Sequence, residues 1–158
     1  MPKTRPCLWF DTQGEDAAKL YTSVFPNSRI VEIARYGSAG PRPEGTVMTV
    51  SFELDGAPFL ALNGGPEYTF SEAVSFQVDC ADQAEVDHYW ETLSEGGEEG
   101  PCGWLKDRFG LSWQIVPRRL TELLTDSDGA KAQRVMACML QMKKIEIAEL
   151  EAAAGEMR

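Results

Sequence analysis

Residues able to do acid–base or nucleophilic chemistry are few in this sequence. Its only histidine, His88, stands between Asp87 and Tyr89 in a stretch with helical spacing, where a solvated or packing histidine is the expected interpretation. A Ser/His/Asp or Cys/His arrangement needs a histidine beside its nucleophile. The sequence therefore predicts no arrangement of this kind.

Three carboxylates have positions from which they could act as acid or base, namely Asp11, Asp79 and Glu53. Asp11 and Asp79 both stand where a predicted strand gives way to a helix, so helix capping is the favoured interpretation for them. The Lys-Asp-Arg segment at 106–108 falls in a predicted hairpin and is interpreted as turn chemistry rather than catalysis.

The four cysteines show no C-x-x-C spacing and stand in segments with strand or helix character. Disulfide frameworks are typical of smaller secreted chains, so we expect reduced cysteines that pack as small hydrophobic residues. They are Cys7, Cys80, Cys102 and Cys138.

One pattern that could position such residues occurs twice. Residues 8–25 and 76–93 each combine a short apolar strand, an Asp at its end, and a helix whose apolar residues recur every three or four positions. A Tyr follows the Asp by ten residues in both copies, as Tyr21 and Tyr89. Asp82 is the predicted N-cap of the second helix.

Further strands follow each helix, with period-two alternation and a tight turn predicted at Asp55-Gly56. The glycine-centred pattern of this turn recurs around Gly110. The predicted strands cover residues 29–36, 47–54, 59–62, 104–106 and 112–116. The chain is therefore predicted to be an α+β protein built of tandem βαβββ units.

Beyond Pro117 the pattern changes to amphipathic helices, interrupted by Asp-Ser-Asp-Gly at 126–129. The predicted helices cover residues 120–124, 130–142 and 145–154. We expect a paired βαβββ domain over residues 1–117 and a helical C-terminal extension over 118–158, packed on the same domain.

Composition excludes several partners. The chain has 15 Lys and Arg residues against 25 Asp and Glu residues, a formal net charge of −10. Nucleic-acid binding needs basic patches and anionic lipid repels an acidic surface, so neither nucleic acid nor membrane is expected as a partner. No apolar run approaches the roughly 20 residues of a membrane span, and the apolar stretch at 7–10 is short for a secretory signal. A cytoplasmic location is predicted.

The tandem βαβββ layout resembles the vicinal-oxygen-chelate, or glyoxalase-type, superfamily. Several segments resemble its PhnB-like branch, whose members also carry the description 3-demethylubiquinone-9 3-methyltransferase-like. These segments are residues 25–30, 54–65, 74–78, 102–110 and 112–117, together with the tail at 134–144. The resemblance covers nearly the whole chain and implies a curved mixed sheet around a cup.

The resemblance implies a divalent metal only where ligands are present. Metal-dependent members hold one ion with His, Glu or Gln side chains from the first and last strands of each unit. The corresponding positions are near residues 5–7 and 73–75, and at Ala61 and Gln114. Only Gln114 would coordinate well, although a one-residue shift of register at Cys7 would admit a thiolate. We expect no cofactor: a divalent metal is possible but is not supported by the ligand residues.

The methyltransferase description lacks support in the residues themselves. S-adenosylmethionine enzymes of the common type use a parallel α/β sheet with a glycine-rich first turn. Gly64-Gly65 follows a predicted strand, but Pro66 comes next instead of a helix N-terminus. The pair Gly96-Gly97 ends a helix, where glycine is a common cap.

The cup is predicted to be lined by the strand faces opposite the helices, which combine aromatic walls with neutral polar groups, as small-molecule pockets do. The predicted lining residues are Cys7, Trp9, Thr49, Ser75, Gln77, Trp104 and Gln114. Alternatively, the polar groups among them simply hydrogen-bond one another between the two sheets.

Two classes of function stay open. One is a small-molecule-binding glyoxalase-type protein of unassigned reaction. The other is a non-catalytic sequestering module, as resistance proteins of this superfamily are, gripping a planar ligand between aromatics such as Trp9 and Trp104. A methyltransferase is a distant third.

The resemblance also implies a partner chain, because cups of this fold are commonly completed or flanked by one. We expect a symmetric homodimer through the residues after Pro117. The apolar residues available for it are Val135, Met136, Met139, Leu140, Ile145 and Leu150.

Overall fold

The computed structural model describes residues 2–155. The chain divides into two compact units, Met1–Phe70 and Ser71–Arg158, each containing one four-stranded mixed sheet. The predicted α+β fold with tandem βαβββ units is confirmed. The three C-terminal helices belong to the second unit. The predicted domain boundary after residue 117 stays a prediction.

The first unit repeats the predicted order of elements. They are β1 (Cys7–Phe10), α1 (Gly14–Val24), β2 (Arg29–Arg35), β3 (Val47–Leu54) and β4 (Ala57–Asn63). The sheet order is β1-β4-β3-β2, with β1 parallel to β4 and the other pairs antiparallel. Asp55 and Gly56 join β3 to β4 with φ angles of 49° and 80°, and positive φ at both central residues is what a tight hairpin of this hand needs.

Helix α1 packs on one face of this sheet and leaves the other face uncovered by it. Ala17, Tyr21 and Val24 are buried on the helix, and Val50 and Phe52 are buried beneath it on β3. Because successive strand residues point to opposite sides, the sheet has a helix face and an opposite face, which we call the open face.

The second unit repeats the βαβββ order of the first unit and adds three helices after it. Its elements are β5 (Ser75–Cys80), α2 (Gln83–Ser94), β6 (Glu98–Glu99), β7 (Trp104–Lys106), β8 (Ser112–Pro117), α3 (Arg118–Leu124), α4 (Gly129–Met139) and α5 (Ile147–Ala153). The sheet order is β5-β8-β7-β6, with β5 parallel to β8. The two-residue strand β6 has no separate signal in the sequence.

Helix capping follows the prediction only in part. Asp82 caps α2, its carboxylate accepting a hydrogen bond from the Glu85 amide at 2.9 Å. The capping interpretation of Asp11 and Asp79 is wrong, because the N-caps of α1 and α2 are Gln13 and Asp82. The carboxylates of Asp11 and Asp79 form ion pairs with Arg42 and Arg118, respectively. The N-terminus of α1 is satisfied from β4 by a side chain described below.

The C-terminal helices build an apolar cluster of their own within the second unit. Its buried members are Leu120, Leu123, Val135, Met142, Ile145, Leu150 and Ala154. Helix α4 ends at Met139, three residues before the predicted end. The amides of Gln141 and Met142 bond to carbonyls three residues back, which ends the α-helical pattern. The carbonyls of Met142 and Lys143 then accept hydrogen bonds from the amides of Cys102 and Gly103.

This cluster corrects the residues expected at a dimer interface. Val135, Ile145 and Leu150 are fully buried within the chain and are not available to a partner, whereas Leu140 is 56% exposed. Helical spacing marks an apolar face without saying which neighbour covers it. The homodimer itself stays a prediction.

Across residues 2–155, none of the helices has the length and apolar character needed to span a bilayer. The cytoplasmic location stays a prediction.

Candidate ligand-binding site

Trp9 dominates the open face of the first unit. Its indole Nε1–H donates a hydrogen bond to the Gly65 carbonyl at 2.9 Å. The ring meets Tyr68 edge-on, with 5.0 Å between centroids. Both contacts hold the predicted lining residue Trp9 half-buried against the sheet.

The glycine pair after β4, Gly64-Gly65, leaves room for the Trp9 ring. A Cβ on Gly64 would lie 2.4 Å from Cζ2 of Trp9, closer than two carbon atoms can approach. Gly65 has a φ of +112°, which residues with a side chain avoid, and its carbonyl accepts the indole hydrogen bond. The sequence left Gly64-Gly65 without a role, and its role is packing and hydrogen bonding to Trp9.

The rest of this face is mostly apolar. Cys7 pairs with Leu60 and Trp9 with Leu62, and the predicted lining residue Thr49 also stands opposite Leu62. Ala61, the predicted ligand position, is 1% exposed on the helix face. Since strand side chains alternate, an error of one residue in register moved the prediction to the wrong side.

The cysteines are free, but they do not all pack as buried hydrophobic residues. Cys80 is fully buried, and burial together with nearby carboxylates raises the pKa of its thiol to about 12. Cys7 is exposed, which corrects the expectation for this residue. Partial desolvation raises the pKa of the Cys7 thiol, and the charge of Arg5 opposes that effect.

Three of the predicted residues meet on the open face of the second unit. The Gln114 side-chain amide donates to the Ser75 hydroxyl at 2.9 Å, and the Gln77 amide donates to the Gln114 side-chain oxygen at 3.3 Å. Gln77 and Gln114 are register partners on parallel strands, which explains why their side chains meet. These three polar groups therefore bond one another within one sheet, and not between the two sheets. Their role in lining a cup stays a prediction.

A cavity of ≈ 350 Å³ lies at the other edge of this face. Among the predicted residues it includes Trp104, with Pro101 and the buried Leu105 also in its lining. Its polar and aromatic lining consists of Glu72, Glu98, Glu99, Trp104, Lys106 and Ser112. Lys106 and Ser112 are direct register partners on β7 and β8, and Glu98 pairs with Lys106 from β6.

Two polar groups in the lining of this cavity have no hydrogen-bond partner within residues 2–155. Ser112 is 1% exposed, yet its hydroxyl has no hydrogen-bond partner within residues 2–155. The indole N–H groups of Trp9, Trp90 and Trp113 each donate a hydrogen bond. That of Trp104 has no bond of this kind in the part of the chain that the structure describes.

The charged groups of the cavity are partly paired. The Lys106 ammonium is in contact with the Glu72 carboxylate. This hydrogen bond lowers the pKa of Glu72 and raises the pKa of Lys106. The Glu99 carboxylate accepts the Trp90 indole N–H at 3.1 Å.

Asp107 confirms the turn interpretation of the segment around it. Its buried carboxylate accepts hydrogen bonds from the Phe109 amide, the Leu111 amide and the Trp113 indole, at 2.9 to 3.1 Å. Asp107 therefore closes the hairpin between β7 and β8. Lys106, taken with it as a turn residue, instead points to the cavity lining.

Histidine takes no part in this site. His88 is exposed on α2, with its ring 4.9 Å from that of Tyr89. The prediction of a solvated or packing histidine is confirmed.

Comparisons with known proteins agree with this geometry. A family profile described as 3-demethylubiquinone-9 3-methyltransferase matches residues 2–116. A solved structure of the PhnB protein from Bacillus cereus, which has the same description, is 34% identical, with a TM-score of 0.66 over 73% of this chain and 99% of that chain. The chain belongs to this PhnB-like family.

More distant structures share the fold alone. Protein PA1353 from Pseudomonas aeruginosa is 18% identical, with a TM-score of 0.62 over 74% of this chain and 98% of that chain. The fosfomycin resistance protein FosX from Listeria monocytogenes is 16% identical, with a TM-score of 0.54 over 79% and 98%. No curated protein gives a significant match.

The side chains at the metal positions that the resemblance implies offer few donor atoms, and the absence of a cofactor stays a prediction. In the first unit the open-face positions of β4 are Leu60 and Leu62, which offer no donor atom, and β1 contributes the Cys7 thiol. In the second unit the Gln114 amide is engaged with Ser75 and Gln77. Within residues 2–155, no three His, Cys, Asp or Glu side chains are placed to hold one ion.

The sequence missed Glu72, Glu98, Lys106 and Ser112 as members of the cavity. Lys106 and Ser112 share the open face with Trp104 and Gln114 by simple alternation, so the strand pattern could have found them. Glu72 stands in the segment before β5, and no sequence signal links it to Lys106.

Proposed function

We propose that this PhnB-like protein binds a small organic molecule in the cavity beside Trp104. The observation that carries the proposal is the Ser112 hydroxyl, buried in the cavity lining without a partner. Leaving a buried hydroxyl unpaired costs about 1–3 kcal/mol, and a polar atom of a ligand would remove that cost. The position is therefore better suited to binding than to stability.

The shape and chemistry of the cavity support the same proposal. Its volume of ≈ 350 Å³ falls in the range of roughly 300–1,000 Å³ typical of ligand pockets. Trp104 and Pro101 offer apolar contact, and the Trp104 indole N–H has no hydrogen-bond partner in the described residues. A few convergent polar groups on an apolar wall are the usual composition of such a site.

The proposed binding uses no metal. It is supported by the chemistry of the donor set, since the Gln114 amide is already bonded on both sides and the matching position in the first unit is a leucine. The methyltransferase activity named in the family description is not proposed here, because the Gly64-Gly65 pair serves Trp9 and not a cofactor loop.

A thermal-shift screen of small organic molecules tests the proposal, because a ligand stabilises the folded state by RT ln(1 + [L]/Kd). Hits are expected to lose their shift with Trp104→Ala and to keep it with Leu140→Ala, which removes an exposed apolar residue of the same unit away from the cavity. Equal shifts in both variants would place binding elsewhere and contradict the proposal.

The same hits separate the two classes of function. Each is incubated with the protein and its mass is followed over time. Conversion to a product indicates a glyoxalase-type enzyme, whereas recovery of the unchanged hit indicates a sequestering module.

A further inference from the structure

We infer that the cavity of the second unit selects a cationic ligand, with an ammonium group carried on an aromatic body. The inference rests on the proposed function and adds the charge of the ligand. Glu72, Glu98, Glu99 and Lys106 line the cavity. The Glu99 carboxylate is bonded to the Trp90 indole and that of Glu72 is paired with Lys106, so the Glu98 carboxylate carries the uncompensated charge. The excess of negative charge favours a cation.

The single positive charge is not available to an anion. Lys106 is already in contact with Glu72, so an anionic ligand would have to displace that carboxylate. Glu98 stands directly opposite Lys106 across β6 and β7, and it would repel the incoming anion. A cation meets the reverse situation, since it is attracted by Glu98 and leaves the Lys106–Glu72 pair intact.

Trp104 favours the same sign of charge. The face of an indole ring attracts a cation placed within about 6 Å of its centre, which corresponds to roughly two- to fivefold in affinity at an exposed site. Trp104 is half-buried in the lining, and its ring makes no aromatic contact in the described residues. It can therefore stack on the aromatic body or lie under the ammonium group.

The unpaired hydroxyl of Ser112 is a second observation, independent of the carboxylates, that favours a ligand in this cavity. A cluster of acidic residues alone would be ordinary solvated surface in a chain of net charge −10. The Ser112 hydroxyl is different, because it is buried without a partner next to Lys106 and lines the same cavity. Its oxygen can accept a hydrogen bond from an ammonium N–H, and the carboxylates around it decide the charge.

Three indole probes with similar bodies and different charges test the inference. They are tryptamine with an ammonium group, tryptophol with a neutral hydroxyl, and indole-3-propionate with a carboxylate. Calorimetric titration should give affinities in that order, and added NaCl should weaken tryptamine binding without changing tryptophol binding. Equal affinities, or the reverse order, would overturn the inference.

Charge variants locate the effect. Glu98→Gln should weaken tryptamine binding about fivefold, the equivalent of an attraction of about 1 kcal/mol between unit charges 4 Å apart in water. Lys106→Gln should strengthen it by a similar factor, because Glu72 then loses its partner. Glu149→Gln removes the same charge from the exposed side of α5 and should leave the affinity unchanged.

The outcomes keep this inference apart from the proposed function. Loss of tryptamine binding in Glu149→Gln as large as in Glu98→Gln would show a general charge effect and overturn the inference. Absence of tryptamine binding at millimolar concentration would also overturn it, even where uncharged hits from the screen bind beside Trp104 and sustain the proposed function.

Discussion

Each unit has a tryptophan on the open face of its sheet, Trp9 in the first and Trp104 in the second, and the contacts of the two side chains differ. Trp9 is bonded to Gly65, contacts Tyr68 and occupies the space that a side chain on Gly64 would need. Trp104 has none of these contacts within residues 2–155 and borders a cavity. The same fold unit thus uses one aromatic residue for packing and leaves the other at the border of a cavity.

Their buried polar groups differ in a related way. In the first unit Asn63 at the end of β4 accepts the Gly14 amide at 2.7 Å and donates to the Val47 carbonyl, joining helix to sheet. In the second unit Asp107 accepts three hydrogen bonds inside one hairpin. Both residues are satisfied, unlike Ser112, so the comparison separates buried polar groups that stabilise from one that does not.

The largest effect is expected at Asp107. Asp107→Ala leaves the buried Leu111 amide and Trp113 indole without an acceptor, which should lower the free energy of unfolding by about 2–6 kcal/mol, at about 1–3 for each donor. Asn63→Ala removes the acceptor of one buried amide and should cost about half as much. Urea denaturation measures both, and a larger loss for Asn63→Ala would break the comparison.

Asp107→Asn provides the control for volume. It keeps one acceptor oxygen and the size of the side chain, so its stability should lie between those of wild type and Asp107→Ala. A loss equal to that of Asp107→Ala would mean that one acceptor oxygen is not enough, because the Asn NH2 group then faces a donor that the second carboxylate oxygen had bound.

The next effect concerns Gly64 and the packing of Trp9. Gly64→Ala places a Cβ against the Trp9 ring and should lower the free energy of unfolding by about 1–3 kcal/mol, as overpacking does. Gly37→Ala is the matched control, since a Cβ there meets nothing within 4 Å. Chemical denaturation measures both variants.

A double variant sharpens this test. In a Trp9→Ala background the ring is absent, so Gly64→Ala should cost much less than it does in wild type. Equal costs in the two backgrounds would show that the clash with Trp9 is not the reason for glycine at this position.

The fold was accessible from the sequence because its signals are local or repeated. The spacing of Tyr21 and Tyr89, the turn at Asp55-Gly56 and the alternation in β3 each depend on neighbouring residues. Even so, Ala61 was assigned to the wrong face, since a strand reverses every side chain with a shift of one residue. The helical spacing around Val135 likewise did not show whether this helix face packs within the chain or against a partner chain.

The candidate site was less accessible for a physical reason. Ser75, Gln77 and Gln114 could be placed on one face by alternation, and the structure brings them together. The contact of Glu72 with Lys106 joins a segment before one strand to another strand, and no spacing rule predicts it. A hydroxyl without a partner is a property of all its neighbours at once, so Ser112 could not be recognised from residue type.

The smallest effect on stability, and the one with the opposite sign, is expected at Ser112. Ser112→Ala removes a buried hydroxyl that has no partner in residues 2–155, so the free energy of unfolding should stay unchanged or rise by about 1 kcal/mol. Ser75→Ala is the matched control on the neighbouring strand. It removes the acceptor of the Gln114 amide and should lower stability by about 0.5–1.5 kcal/mol. The melting temperatures of the two variants are measured without ligand. A clearly lower melting temperature for Ser112→Ala would mean that the Ser112 hydroxyl stabilises the folded chain, and it would contradict the interpretation of this hydroxyl as a ligand-binding group.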